Sequence, residues 1–307
     1  MRVVLTAANG FIGRHCLVPL LERGYEVCAV SSRPQVARDV DWRQVDLLNV
    51  SDVSTLMAAV RPTHLLHMAW VTTPGHYWTS PENLKWVAGS LHLLHEFRKN
   101  GGTRVVMAGS CAEYDWISGL CSEASTPLAP ATLYGSCKHA LQLVLEAFAR
   151  ETALSSAWGR IFFTYGPHEH RARLVPSIIT PLLTGQPVEC SDGLQARDFL
   201  FVQDVADAFV ALLATNVSGA VNIASGRTVR IRDIALQLAD RLGGHELIKF
   251  GARPSPRGEP PILAADVGRL RTEVGWTPRF PLDEGLDLSI RWWTQQLSGA
   301  VRSGLSG

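Results

Sequence analysis

The chain has 307 residues, of which 46% are hydrophobic, with 29 basic and 28 acidic side chains and no run of like charges. This length suits one large α/β domain or a main domain with a smaller lobe, and the balanced charge argues against nucleic acid as a partner. Six scattered cysteines lack the paired spacing of zinc sites, so we expect neither a disulfide framework nor a metal centre.

Short β-branched runs alternate with longer stretches whose apolar residues recur at helical spacing. The predicted strands cover 2–6, 25–30, 63–69, 103–109 and 155–161, and the predicted helices cover 11–23, 51–60, 81–100 and 132–153. Repeated strand–helix–strand units indicate an α/β fold, with a doubly wound parallel sheet and helices on both faces. No apolar leader precedes the first strand and no apolar run reaches about 18 residues, so we expect a soluble, cytoplasmic protein.

The pattern changes after Gly166-Pro167, where loops containing Pro, Gly and Arg interrupt shorter elements. We predict a discontinuous main domain formed by 1–166 and 196–225, and a smaller C-terminal substrate-binding lobe formed by 167–195 and 226–298. Residues 299–307 are expected to be a flexible tail.

The first strand runs directly into TAANGFIGRH, in which Gly10 and Gly13 open a helix. Glycines at such a turn let backbone N–H groups approach a pyrophosphate at the positive end of the helix. Ala7 stands where the fuller pattern has its first glycine, and an alanine is tolerated there if its φ is negative. This Rossmann-like turn predicts a dinucleotide site whose contacts include Asn9, Gly10, Phe11, Ile12 and Gly13.

The end of the second strand bears on the choice between NAD and NADPH. An Asp or Glu there would hold the ribose 2′-hydroxyl of NAD, whereas NADPH needs room and positive charge for a phosphate. The chain has Ser31, Ser32 and Arg33, so we predict NADPH, with NAD as the alternative if Arg33 is only a solvated loop residue. Asp46, followed by Leu47, either accepts from the adenine amino group or caps a turn.

Tyr134 and Lys138 stand four residues apart on a predicted helix and therefore share one face. A neighbouring ammonium favours the phenolate, so we expect Lys138 to lower the pKa of Tyr134 and to make the pair a proton relay for alcohol and ketone chemistry. Ser110 follows the strand TRVVMAG and can hydrogen-bond the substrate oxygen.

With these motifs in order, the sequence resembles the extended short-chain dehydrogenase/reductase family, in particular its nucleotide-sugar branch. The resemblance runs through TAANGFIG, VDLL, LLHMAW, GSCAEY, LYGSCK, GRIFFTYGP, QARDFLFVQDVADA and VGRLRTEVGWTP. It implies that Ser110, Tyr134 and Lys138 form the catalytic triad and that Met68 and Ala69 line the nicotinamide side. It also implies a homodimer, for which the helices near 81–100 and 132–153 are the candidates.

The resemblance further implies that Arg197, in the RDF motif, grips a nucleotide-sugar diphosphate, for which a bidentate guanidinium is well suited. The alternative is a surface ion pair with Asp198. Arg257 is a second diphosphate candidate, although Pro256 occupies the usual arginine position. Trp70, His76 and Trp78, in the aromatic segment after the fourth strand, are candidates for the wall of the sugar pocket, with Thr72 offering a hydroxyl. The alternative for Trp78 is simple burial.

The branch includes 4,6-dehydratases, epimerases and 4-keto reductases. Cys111-Ala112 replaces the Asp-Glu pair of the dehydratases, which argues against dehydration. We predict an NADPH-dependent reductase of a nucleotide-linked 4-keto-6-deoxyhexose, with an NAD-dependent nucleotide-sugar epimerase as the alternative. His168 and Cys111 leave open a dual epimerase-reductase, although the cysteine is one residue out of place; a non-catalytic dinucleotide sensor is disfavoured by the intact triad.

Overall fold

The structure is a computed structural model that describes residues 1–34, 40–255, 258 and 260–304. The strands are β1 (Arg2–Leu5), β2 (Glu26–Ser31), β3 (Asp41–Gln44), β4 (His64–His67), β5 (Arg104–Ser110), β6 (Leu120–Cys121), β7 (Ser155–Ile161), β8 (Phe163–Tyr165), β9 (Val188–Glu189), β10 (Ala196–Phe201), β11 (Gly219–Ile223), β12 (Thr228–Arg230), β13 (Ile248–Lys249) and β14 (Ile262–Ala265). The helices are α1 (Gly13–Glu22), α2 (Val50–Val60), α3 (Glu82–Lys99), α4 (Leu133–Thr152), α5 (Leu174–Leu183), α6 (Val202–Ala214), α7 (Ile231–Leu242), α8 (Gly268–Thr272) and α9 (Leu282–Gly304).

Seven parallel strands form the main sheet in the order β11-β7-β5-β4-β1-β2-β3. Its central strands are apolar and buried on both faces, as in Val3, Val4 and Leu5 of β1, because helices cover each side. Helices α1 and α6 pack together in one layer, and α2, α3 and α4 form the other. The predicted α/β fold with a doubly wound parallel sheet is confirmed.

The order of the strands reverses between β1 and β4, so the loops after these two strands diverge. Ligands of open α/β sheets bind beyond the carboxyl ends of strands at such a point. The glycine turn follows β1, the segment from Met68 to Trp78 follows β4, and Ser110 ends the neighbouring β5. The topology therefore gathers these predicted site segments at one edge of the sheet.

A second sheet has the order β12-β10-β14-β6, with β8 also paired to β10, and β9 pairs with β13 separately. The apolar side chains of β8 and β10 pack against α5, α7 and α9 in a further core. The segment 196–225 is shared between the two sheets, because β10 belongs to the second sheet while α6 packs on α1 and β11 is an edge strand of the main sheet. The domain limits given above remain a prediction.

Within the residues that the structure describes, no helix combines the length and the apolar character that crossing a membrane requires.

Candidate active site

The start of α4 lies against the end of β5. Thr132 caps the helix, accepting a hydrogen bond from the Gly135 N–H at 3.1 Å. Gly135 is needed here because a Cβ at this position would stand 2.3 Å from the carbonyl oxygen of Ala112. This close approach brings Tyr134 beside Ser110, and their side chains are hydrogen-bonded.

The environment of Tyr134 differs from the expectation. Its side chain is only 8% exposed, and burial raises the pKa of the phenol well above its usual value, while the hydrogen bond from Ser110 lowers it by a smaller amount. The expected lowering of the Tyr134 pKa is not found, because the desolvation of the buried phenolate outweighs the favourable hydrogen bond from Ser110. Tyr134 is therefore a protonated phenol at neutral pH.

Lys138 lies on the same face of α4, one turn further along the helix. Its ammonium donates to the Ala108 carbonyl at 2.8 Å and lies 3.8 Å from the centre of the Trp70 ring. Burial lowers the pKa of Lys138 to about 7, and the carboxylate of Glu113 opposes that change. The ammonium is thus held by a carbonyl and an aromatic face at the edge of the sheet.

Glu113 fixes the backbone of Ser110 through a buried hydrogen bond. Its fully buried carboxylate accepts from the Ser110 N–H at 2.7 Å, from the Trp158 indole at 3.0 Å, and from Arg160 at 2.8 Å in an ion pair. All of its acceptor positions point into the core. Glu113 therefore does not supply the acid or base that a dehydration needs beside Ser110.

The glycine turn has the shape of a pyrophosphate cradle. A Cβ at Gly13 would stand 2.1 Å from the Ala7 carbonyl oxygen, and one at Gly10 would stand 3.0 Å from it. The first turn of α1 carries no acidic residue, and Ile12 at its N-cap makes no side-chain capping bond, which suits an anion at this helix end. Ala7 has φ of 51°, so the condition of a negative φ does not hold, and the chain bears an alanine in the left-handed region.

The predicted adenosine end shows no carboxylate at the last positions of β2. Ser31 is buried and its hydroxyl accepts from the N–H of Arg33, whose side chain is exposed. Asp46 accepts from the Leu48 N–H at 3.0 Å in a turn, whereas Asn49 caps α2. Leu47, between them, is buried.

The backbone of Met68 and Ala69, the predicted nicotinamide side, is anchored by a buried network. The hydroxyl of Thr6 accepts from the N–H groups of Met68 and Ala69, at 2.9 and 3.1 Å, and bonds Nδ1 of His67 at 2.9 Å. Because both acceptor positions of the Thr6 hydroxyl are taken, this hydroxyl donates its proton to Nδ1 of His67. The ring proton of the neutral His67 is therefore on Nε2, which donates to the Ser90 hydroxyl at 2.9 Å. Burial lowers the pKa of His67 to about 3, which keeps the imidazole neutral.

The segment after β4, residues 70–79, forms an aromatic loop around Asn83. The Asn83 side chain is fully buried; it accepts from the Trp70 indole at 2.8 Å and donates to the Tyr77 carbonyl at 2.7 Å. The rings of Tyr77 and Trp78 meet the Tyr134 ring edge to face, at 4.9 and 5.7 Å between centres. Trp78 therefore borders Tyr134, the predicted catalytic residue, whereas Thr72 is exposed.

Arg197 on β10 is 2% exposed, and its guanidinium bonds the carbonyl oxygens of Ala196 and Pro260 at 3.0 Å. Asp198 is also buried, and its carboxylate accepts from the N–H groups of Ser225 and Gly226. The two side chains leave opposite sides of the strand and do not form a surface ion pair. Arg257 lies outside the described residues.

His168 has φ of 69° and contacts the first helix. Its Nδ1 is 2.6 Å from the Arg14 guanidinium, and its ring centre is 4.7 Å from that of Trp292 on α9. Burial and the positive charge of Arg14 lower the pKa of His168 to about 4. Cys111, which was predicted to act together with His168, contacts Ser110 instead: its buried thiol hydrogen-bonds the Ser110 side chain, and burial raises the pKa of the thiol.

Three residues that the sequence analysis did not single out form a chain of contacts that starts at the Tyr134 ring: Tyr77, then Arg173, then Glu169. The Tyr77 side chain hydrogen-bonds Arg173, whose guanidinium is 5.2 Å from the Tyr77 ring centre. Glu169 is buried close to Arg173, and one of its carboxyl oxygens has no hydrogen-bond partner in the described part of the chain. Tyr77 could have been predicted from its position between His76 and Trp78 in the aromatic segment. No local sequence pattern indicated Arg173 or Glu169.

The parallel sheet, the glycine cradle and the adjacent Ser, Tyr and Lys side chains define an NAD(P)-dependent oxidoreductase of the extended short-chain dehydrogenase/reductase type. The chain belongs to the NAD dependent epimerase/dehydratase family, whose family model matches residues 3–224.

Individual relatives extend over nearly the whole chain. UDP-glucuronic acid decarboxylase 1 of Xenopus tropicalis is 27% identical over 313 residues, which cover 96% of this chain and 73% of that protein. The structure of MoeE5 in complex with UDP-glucose and NAD is 28% identical, with a TM-score of 0.83 and coverage of 97% and 100% of the two chains. The UDP-glucose 4-epimerase of Thermus thermophilus, in complex with NAD, is 25% identical, with a TM-score of 0.83 and coverage of 96% and 99%.

Proposed function

We propose that this chain is an NADPH-dependent reductase that converts the C4 ketone of a nucleotide-linked 4-keto-6-deoxyhexose to an alcohol. The observation that carries the choice of reductase is the end of β2, where Ser31, Ser32 and Arg33 stand in place of an acidic residue. A carboxylate there would repel a 2′-phosphate, whereas the exposed guanidinium of Arg33 can pair with it. NADPH is the cofactor that a net reduction consumes.

The bound nicotinamide supplies the hydride, and the residues of this chain handle the oxygen. Tyr134 donates its phenolic proton to the alkoxide oxygen that forms at C4, and Ser110 hydrogen-bonds the same oxygen. The raised pKa of Tyr134 supports this direction, because a protonated phenol is the form that an acid in ketone reduction needs. Lys138, one turn away, stabilises the phenolate left after proton transfer.

Two further observations support the substrate assignment. The Glu113 carboxylate is fully engaged with Ser110, Trp158 and Arg160. The other carboxylate in the described loop 111–117 is that of Asp115, which caps a short helix that begins at Trp116. Neither is free to act in a dehydration. Arg197 is a buried arginine on β10 of the second sheet, and its guanidinium would bind the diphosphate of a nucleotide sugar. MoeE5 was solved with UDP-glucose bound, and the Thermus enzyme is a UDP-glucose 4-epimerase, which supports a nucleotide-linked substrate for this chain.

The second candidate is an NAD-dependent nucleotide-sugar epimerase that recycles its hydride. The observation in its favour is that MoeE5 and the Thermus 4-epimerase were both solved with NAD. In this reaction Tyr134 first accepts the proton of a sugar hydroxyl and later returns it. This role needs the phenolate, so bound cofactor and Lys138 would have to overcome the raised pKa of Tyr134.

The discriminating experiment measures cofactor affinity and turnover together. Freshly purified protein is denatured, any released dinucleotide is identified, and the apo protein is titrated with NADPH and NADH. We expect tighter binding of NADPH and loss of reduced-nicotinamide absorbance with 4-keto-6-deoxy sugar nucleotides. Stoichiometric bound NAD, and interconversion of UDP-glucose without net cofactor consumption, would contradict the reductase and support the epimerase.

Two variants locate the effects. Arg33→Ala should weaken NADPH binding roughly tenfold and leave NADH binding unchanged, since a charged hydrogen bond contributes about 1.5 kcal/mol. Arg43→Ala is the matched control, because Arg43 is an exposed arginine on the adjacent β3 that pairs with Asp41. Tyr134→Phe should lower turnover by at least about a hundredfold with cofactor binding retained; unchanged turnover would refute the role of Tyr134.

A further inference from the structure

The aromatic loop touches both of the proposed catalytic side chains on α4. Trp70, at its start, presents the face of its indole to the Lys138 ammonium at 3.8 Å, and Tyr77 and Trp78, near its end, border the Tyr134 ring. The contact between Trp70 and Lys138 joins residues 68 positions apart in the chain.

The geometry around Lys138 shows why the indole matters. The side chain is only 3% exposed, and the Ala108 carbonyl, at 2.8 Å, accepts one of its three N–H bonds. The charged and titratable groups facing it are Glu113 after β5, whose carboxylate favours the ammonium, and the neutral His67 at the end of β4. Tyr134, on its own helix, is a neutral phenol. The indole face is therefore the remaining group that compensates for lost hydration.

The orientation of the indole is itself fixed. The Trp70 N–H donates to Asn83 at 2.8 Å, and the Asn83 amide donates to the Tyr77 and Ser80 carbonyls at 2.7 and 2.8 Å. This fully buried asparagine uses both ends of its amide, so the indole has one orientation relative to α4. Trp86 also packs against Trp70, with 6.2 Å between ring centres.

We propose that Trp70 is a positioning residue that holds the Lys138 ammonium against its indole face, with Asn83 locking the indole in place. This inference rests on the proposed function, in which Lys138 stabilises the Tyr134 phenolate. One N–H of Lys138 bonds the carbonyl of Ala108 and the ring face attracts the charge, so the ammonium is held between these two groups. Trp70 thus acts through Lys138 and need not touch the substrate.

The test uses the apo protein and does not depend on turnover. The chain has four lysines, namely Lys85, Lys99, Lys138 and Lys249, so labelling with lysine carrying ¹³C at Cε gives four resonances, and Lys138→Met assigns one of them. The pKa of Lys138 is measured by NMR in protein made with tryptophan, 5-fluorotryptophan or 5,7-difluorotryptophan. Ring fluorination weakens the negative face of the indole and barely changes its size.

We expect the pKa of Lys138, about 7 in the unmodified protein, to fall stepwise with fluorination, by about one unit in total. The trend should vanish in Trp70→Leu and persist in Trp86→Leu, the matched control that removes a neighbouring tryptophan. Trp70→Phe retains an aromatic face and serves if the leucine variant does not fold. A pKa that is independent of fluorination, or a trend that survives Trp70→Leu, would overturn the proposal. Failure of the reductase assay would leave this titration unaffected, so the two hypotheses fail separately.

Discussion

Ala7 offers a sharp test of the glycine turn, because the residue has a backbone conformation that is unfavourable for alanine. Its φ of 51° lies in the left-handed region, where an L-residue with a Cβ is less stable by about 1–2 kcal/mol than in the right-handed region. Ala7→Gly removes that strain. The added freedom of the unfolded chain offsets about 0.4–1 kcal/mol of the gain, so we expect a net stabilisation of about 1 kcal/mol.

The measurement is the free energy of unfolding from urea denaturation of the apo protein. Ala8→Gly is the matched control, since Ala8 is the next residue, is fully buried and is absent from the residues of positive φ. The same chemical change there removes a buried methyl group and loosens the unfolded chain, and it should destabilise the protein by about 1–2 kcal/mol. Two variants with the same sign would refute the assignment of strain to Ala7.

Two buried carboxyl groups give further predictions. Glu113→Gln leaves Arg160 buried without its charge partner and should lower the free energy of unfolding by about 3–5 kcal/mol. The control, Glu273→Gln, breaks an exposed ion pair with Arg269 and should lower it by less than about 1 kcal/mol. Equal losses in the two variants would contradict a special contribution of the buried ion pair. Burial raises the pKa of the Glu169 carboxyl from 4.5 to about 8. Between these two pH values the native state keeps a proton that the unfolded chain has released. The stability of the protein therefore falls as the pH rises from about 4.5 to about 8. Glu169→Gln should therefore stabilise the protein at pH 8 by on the order of 2 kcal/mol and change little at pH 4.5; an equal effect at both pH values, in urea denaturation, would show that ionisation is not responsible.

Local patterns accounted for much of the architecture. The β-branched runs and the helical spacing of apolar residues predicted five of the seven strands of the main sheet, β1, β2, β4, β5 and β7, and the helices α1 to α4, because these periodicities depend on near neighbours along the chain. The separation of Tyr134 and Lys138 placed both on one face of α4 for the same reason. The glycines after β1 marked the cradle, since Gly13 meets the Ala7 carbonyl within a single turn.

Features that depend on distant contacts were not accessible in this way. The pattern of 196–225 suggested a return to the main domain, yet β10 pairs in the second sheet, because strand partners are chosen by register and packing between remote segments. The direction of the pKa change at Tyr134 followed from its burial beneath Tyr77 and Trp78, which no spacing reports.

The sequence by itself determined the element types, the dinucleotide turn and the identity of the Ser, Tyr and Lys side chains, because each is encoded within one helix turn or one strand end. Only the tertiary structure decided that Glu113 points into the core toward Arg160, that His168 rests on Arg14, and that Trp70 lies under Lys138. Those contacts join positions 47 to 154 residues apart, and they form only when the folded chain closes its loops over a common core.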